Sequence, residues 1–128
     1  MQSPTEINRH PLFQLFESTA DVVWVIDSKY SSQIYLNKSF ETVWGRPLSY
    51  LYSSPDAWYL TIHPDDRQYM KDVHHRREIS DTGEIGVYEV FRIVRPDGSI
   101  RKIRDISFAL RDSKSQVIAK IGIATDIT

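Results

Sequence analysis

The chain reads as an α+β domain: an antiparallel sheet with short helices over one face and an N-terminal helix ahead of it. Three observations predict this. Short β-branched runs open and close the chain, and apolar residues at helical spacing fill its middle. A turn signal, Arg95-Pro96-Asp97-Gly98, joins two long β segments. Strands, then helices, then strands point to a sheet whose helices gather on one side. At 128 residues the chain suits one domain with one core and needs no disulfide or metal staple.

Residues 1–11 are mostly polar and read as an extension, which leaves 12–128 as the domain. Asn8 and Pro11 suit the start of a helix carrying Leu12, Phe13, Leu15 and Phe16. These four offer apolar surface on more than one side, so they are expected at a homodimer interface. Val22 to Ile26, a strand buried on both faces, ends at Asp27-Ser28, with Gln33 to Leu36 as its hairpin partner. Asn37 is expected to cap a helix bearing Phe40, Val43 and Trp44, stopped by Gly45.

Ser54-Pro55 opens a short helix with Trp58. His63-Pro64-Asp65-Asp66 opens a longer one, with His63 at the cap, Pro at the first helical position and acids in the first turn. It runs to about Ile79, with Tyr69, Met70 and Val73 inward and His74 to Arg77 outward, and Ser80 to Gly83 ends it. Residues 87–95 and 99–110 form the hairpin around the Pro-Asp-Gly turn, with Ile106, Phe108 and Leu110 alternating. The last strand, Val117 to Ile127, places Ala119, Ile121, Ile123 and Thr125 on one face.

Several function classes fall away on composition. There is no cysteine, which excludes thiolate metal sites, cysteine nucleophiles and flavin–cysteine adducts, and which fits a reducing, cytoplasmic setting. A net charge of −1 argues against a nucleic-acid surface, and no apolar run approaches the ~20 residues of a membrane span. His74 and His75 are adjacent on a helix and cannot face one metal together. The acids show no catalytic pairing, and the five glycines form no phosphate loop, so the chain is not expected to be an enzyme.

Four segments, in order, are familiar together: Val23-Trp24-Val25-Ile26-Asp27, Trp44-Gly45-Arg46, Ile62-His63-Pro64-Asp65-Asp66-Arg67, and Arg92 through Arg101. With Gly122 to Thr128 at the close, they resemble a PAS domain of the S-box type with its C-terminal PAC motif, as found in bacterial-type signalling proteins. The resemblance covers residues 12–128. Lys102 departs from it, standing where the family often has Trp.

The resemblance implies the PAS fold, a five-stranded antiparallel sheet in the order 2-1-5-4-3 cupping a small cavity, and it implies dimerisation. It also implies relay into an effector in the same chain, such as a histidine kinase or cyclic-dinucleotide enzyme. Asp126 and Thr128, in the family's D-x-T element, become relay residues at the junction to an output element, with Arg92 or Arg104 expected as the partner of Asp126. Candidate lining residues for a cavity holding an unidentified small molecule are Trp24, Ile26, Leu36, Phe40, Trp44 and Met70, then Phe91, Ile106, Phe108, Ile121 and Ile123. The same bulky set also suits a filled core, and a ligand-free dimerisation module is the alternative function. No cofactor is expected: haem lacks a well-placed histidine and adduct-forming flavin lacks its cysteine.

Overall fold

The protein was analysed as a computed structural model, which describes residues 12–28, 33–54, 56–80 and 87–128, and the side chains of all of these but 12, 13, 77–80, 87 and 88. The expectations for Asn8, Pro11, the residues 81–86 and the side chains of Leu12 and Phe13 lie outside the described residues. The elements in order are α1 (Leu12–Phe16), β1 (Val22–Asp27), β2 (Gln33–Leu36), α2 (Ser39–Trp44), a 3₁₀ turn (Leu48–Tyr50), α3 (Ala57–Thr61), α4 (Pro64–Ser80), β3 (Val87–Val94), β4 (Ile100–Arg111) and β5 (Val117–Asp126). The five strands form one antiparallel sheet in the order β2-β1-β5-β4-β3.

Local chemistry explains most of the boundaries. Gly45 ends α2 in the left-handed conformation, φ 68°, with its N–H on the Glu41 carbonyl. Arg95 reinforces that end by donating from Nε to the Val43 carbonyl, 2.9 Å. His63 caps α4 through Nδ1, which accepts from the Asp65 N–H at 3.2 Å. Gly98 takes φ 86° at the end of the β3–β4 turn, its N–H on the Arg95 carbonyl, while Asp97 gathers the N–H and hydroxyl of Ser99.

Asn37 does a different job from the cap expected of it. Its side chain is fully buried and makes no cap bond for α2. Oδ1 accepts from the Val23 N–H, and Nδ2 donates to the carbonyls of Phe16 and Asp21. A short polar side chain thereby satisfies three backbone groups, one buried and two partly buried, where α1, β1 and β2 converge.

The helix α4 is tied to the edge strand β3 at its first turn. Asp66 accepts from Arg92 three times, from Nη2 at 2.8 Å, Nε at 3.0 Å and the backbone N–H at 2.9 Å. The His63 N–H meets the Arg92 carbonyl at 2.8 Å, and Ile62 bridges Ile93. Tyr69, expected inward, is exposed and donates to Glu89 on β3. Its position in the turn after the clamp points it past the edge of the sheet instead of beneath it.

Candidate functional site

Helices α2 to α4 cover one face of the sheet, here called the inner face. Register fixes which residues point there: Val22, Trp24 and Ile26 on β1, Gly122 and Ala124 on β5, Ile103, Asp105 and Ser107 on β4, and Phe91 and Ile93 on β3. Between this face and the helices lies a cavity of about 60 Å³. Six expected residues line it: Trp24, Ile26, Leu36, Phe40, Trp44 and Phe91.

Five others do not. Met70 is buried in the core beneath the cavity wall without lining it. Ile106, Phe108, Ile121 and Ile123 lie on the opposite, outer face, where Ile106 sits across from Ile123 and Phe108 from Ile121. Phe108 and Ile123 are each 46% exposed. Their alternation was correct in period and wrong in phase. The other phase of β4 and β5 carries the small and polar residues, and it faces the bulky helices.

The inner face is organised around Trp24. Its indole lies across Gly122, its direct neighbour on β5, so closely that a Cβ at Gly122 would sit within the ring's van der Waals envelope. From there Nε1 donates to Asp105 Oδ1 on β4, 3.0 Å away. Asp105 is only 7% exposed and lines the cavity. One side chain thus spans three strands, β1, β5 and β4.

The opposite wall comes from α3 and α4. Trp58 stacks on His74 with ring centroids 5.3 Å apart and meets Phe91 edge-on at 5.4 Å. His74 Nδ1 lies 2.5 Å from the Tyr59 hydroxyl. His74, expected on a solvated face, therefore belongs to the cavity wall with Trp58 and Tyr59. His75 and Arg76, the next residues of that run, are exposed. Trp44 donates from Nε1 to Thr61 Oγ1 at 2.9 Å, and that hydroxyl donates to the Trp58 carbonyl, which joins α2 to α3 inside the core.

At the far end of β5, Asp126 pairs with Arg101, Nε to Oδ2 2.7 Å, and not with Arg92, which is committed to Asp66, or Arg104. The register explains it: Asp126 stands opposite Ile103, so Arg101 is the basic residue two positions along on the same face. Asp126 Oδ1 accepts from the N–H and hydroxyl of Thr128, whose Oγ1 accepts from the Lys102 N–H at 2.8 Å. Burial pushes the Asp126 carboxyl up, but the bonds from Thr128 and Arg101 outweigh it and hold the group below its ordinary value.

On the outer face, Phe16 packs against the cluster of Val25 and Ala119 and meets Tyr35 with ring centroids 6.4 Å apart. Leu15 is 66% exposed. Of the four expected interface residues, one thus covers the sheet of its own chain and one points to solvent. Among the described residues no cluster of metal-binding side chains occurs, and no helix is long and apolar enough to cross a membrane.

Comparison with known proteins agrees with this architecture. The profile of the PAS fold family matches residues 33–124. Among solved structures, the N-terminal domain of a diguanylate cyclase with a PAS/PAC sensor from Marinobacter aquaeolei is 25% identical, with a TM-score of 0.71 over 84% of this chain and 94% of that one. A PAS domain from Colwellia psychrerythraea, 20% identical, has a TM-score of 0.71 over 91% of this chain and 94% of its own. A sensory box histidine kinase/response regulator from Burkholderia thailandensis, 21% identical, gives 0.61 over 91% and 84%. Among curated protein sequences, none matches the chain significantly.

Proposed function

The chain belongs to the PAS family, and on that premise we propose that it is a cytoplasmic sensory module that detects a small molecule and relays the event to an effector domain in the same chain. The observation that carries this reading is the route from cavity to strand end. Trp24 and Asp105 line the cavity, Gly122 beneath the indole belongs to β5, and β5 ends at Asp126 with its bonds to Arg101 and Thr128. A ligand that shifts Trp24 acts directly on the strand that carries the relay residues. The neighbours in a diguanylate cyclase and a histidine kinase support effectors of those kinds. No catalysis by this module is part of the reading.

The reading includes no haem or flavin. About 60 Å³ corresponds to roughly four to six waters, far less than either group. The histidine at the wall, His74, turns Nδ1 to Tyr59 and its ring to Trp58. The test is to denature purified protein and examine the extract by mass spectrometry, with an absorption spectrum taken beforehand. A small organic molecule at near-unit stoichiometry and no visible band are expected, and a haem or flavin band would overturn the cofactor reading.

The outer face favours a second reading, a ligand-free structural module that aligns two chains. Ile106, Phe108, Ile121 and Ile123 form an apolar surface that, among the described side chains of α1, Phe16 partly covers. Homodimerisation through this face and α1 is compatible with sensing, so the readings separate on the extract alone. Phe108→Asp should give a monomer by sedimentation, and an unchanged dimer would remove the outer face from the interface.

A further inference from the structure

The cavity has a floor and a rim. Phe40, Trp44 and Phe91 are buried at the floor, whereas Trp24, Ile26 and Gln33 of the β1–β2 hairpin and Trp58, Tyr59 and His74 of α3 and α4 are only partly buried. The three tryptophans of the chain all line it, and they are held unequally. Trp44 is buried, stacks on Phe40 with ring centroids 5.3 Å apart and donates to Thr61. Trp58 stacks on His74 and meets Phe91 edge-on. The Trp24 indole meets no other ring among the described residues and has a single hydrogen bond, to Asp105.

That indole rests on bare backbone. Gly122 has no side chain, and a Cβ there would collide with the ring, so the sheet is shaped at this point for a flat fused-ring group. Asp105 Oδ1, at 3.0 Å, supplies the acceptor for its N–H. Beside the indole the open space takes roughly four to six waters, less than a fused two-ring molecule needs. Rotation of the partly exposed Trp24 side chain toward solvent would join the two volumes and leave its N–H to water.

We propose that the Trp24 indole is the built-in occupant of a ligand seat, and that the ligand is a planar fused-ring heterocycle with an N–H donor, which takes its place on Gly122 and its bond to Asp105 Oδ1. The same oxygen receives either donor, so nothing else at Asp105 has to change. This rests on the sensory reading above and adds to it a ligand class and the first movement that binding produces. Displacing a resident group weakens the apparent affinity by the fraction of molecules in which the seat is open.

The probe is indole itself. The full chain is titrated with it while the N–H signals of the three tryptophan side chains are followed by proton–nitrogen NMR, that of Trp24 assigned by its loss in Trp24→Phe. The Trp24 signal is expected to move to the position of a water-exposed indole, while that of Trp44, bonded to Thr61, does not. Benzofuran has the same shape with oxygen in place of N–H, and it is expected to bind about tenfold more weakly, the order of one hydrogen bond. Trp24→Ala, which removes the occupant, is expected to bind indole at least about tenfold tighter than the unmodified chain.

The unmodified chain decides the matter even if Trp24→Ala fails to fold. A Trp24 signal that holds its place while those of Trp44 and Trp58 shift would put the ligand in the existing space and overturn the displacement. Benzofuran binding as tightly as indole would overturn the donor class. Trp24→Ala binding indole no tighter than the unmodified chain would show that Trp24 competes for nothing, and the inference would fall. It falls too if neither protein binds indole, and the mass-spectrometric extract then judges the sensory reading separately. A stoichiometric molecule of another class keeps that reading, and an empty extract takes it down as well.

Discussion

The two faces of the sheet divide bulk in opposite ways. On β4 and β5 the inner face carries Asp105, Ser107, Gly122 and Ala124, while the outer face carries Ile106, Phe108, Ile121 and Ile123. On β1 the order reverses, with Trp24 inside and Val23 and Val25 outside. The covering layer decides the difference. Helices bring Phe40, Trp44 and Trp58 down onto the inner face, and Trp24 lies across it, so the strands beneath must stay small. Over the outer face the described side chains of the helices add Phe16, and the sheet supplies much of the bulk itself and leaves it half exposed. Apolar alternation reports that a strand has two faces. Which face is the core depends on how much volume the opposite layer delivers.

The sharpest way to break this contrast is to empty the inner layer. Trp44→Ala removes a buried ring and should cost about 3–5 kcal/mol, lowering the melting midpoint by on the order of 10 °C or more. A shift within error would mean the helices are not the bulk of the core. Gly122→Ala adds a methyl where the Trp24 indole lies, and overpacking of this kind costs about 1–3 kcal/mol. Chemical denaturation should show that loss together with a changed Trp24 emission, and an unshifted midpoint would put the indole elsewhere.

Phe108→Ala probes the other face. With the ring nearly half exposed, the monomer should lose about 1 kcal/mol or less. A loss as large as that of Trp44→Ala would erase the distinction between the faces. Smallest of all is Asp126→Ala, a partly exposed pair worth about 1 kcal/mol or less at neutral pH. On the sensory reading proposed above, the same change should alter the basal output of an effector in the same chain several-fold, and unchanged output would reduce Asp126 to a tie at the end of β5.

Asp126 and Asp66 also predict the acid limb of stability. Hydrogen bonds from Arg92 hold Asp66 below the ordinary carboxylate value of 3.8, and Asp126 sits below it too. Each contribution is complete above the unfolded value and is lost as pH falls through the lower folded one. Denaturant midpoints should therefore hold from neutrality to about pH 4 and fall below it. Asp66→Asn should flatten that fall, and an unchanged acid limb would show that other groups set it.

Much of this was legible beforehand because it is local. Gly45, His63-Pro64 and Pro96-Asp97-Gly98 each encode a boundary in their own backbone preferences, and the structure keeps all three. The strand order came from resemblance to a family, and the sheet has that order. What escaped was long-range. Asn37 has the residue type of a cap, and only the approach of Phe16 and Asp21 turns it into a buried clamp. His74 sits in a basic run, and only the packing of α3 against α4 brings Trp58 and Tyr59 to it. Asp105 and Gly122 carry no apolar signal of their own, and only the Trp24 ring that crosses β5 to reach β4 gives them a place in the site.

The strand order also sets a timetable for the molecule's birth. β5 lies in the middle of the sheet, between β1 and β4, yet it is the strand made last. As the chain leaves the ribosome, the β1–β2 hairpin, complete at Leu36, must wait until β5 is finished at Asp126, on the order of 5–18 seconds at ordinary elongation rates. Until then the two hairpins have no shared partner, and β1 and β4 each keep an unpaired edge. Ile121 to Ala124 then join both halves at once, and Gly122 receives the Trp24 ring in the same event. The sheet, in this protein, has no centre until the last of its five strands has been translated.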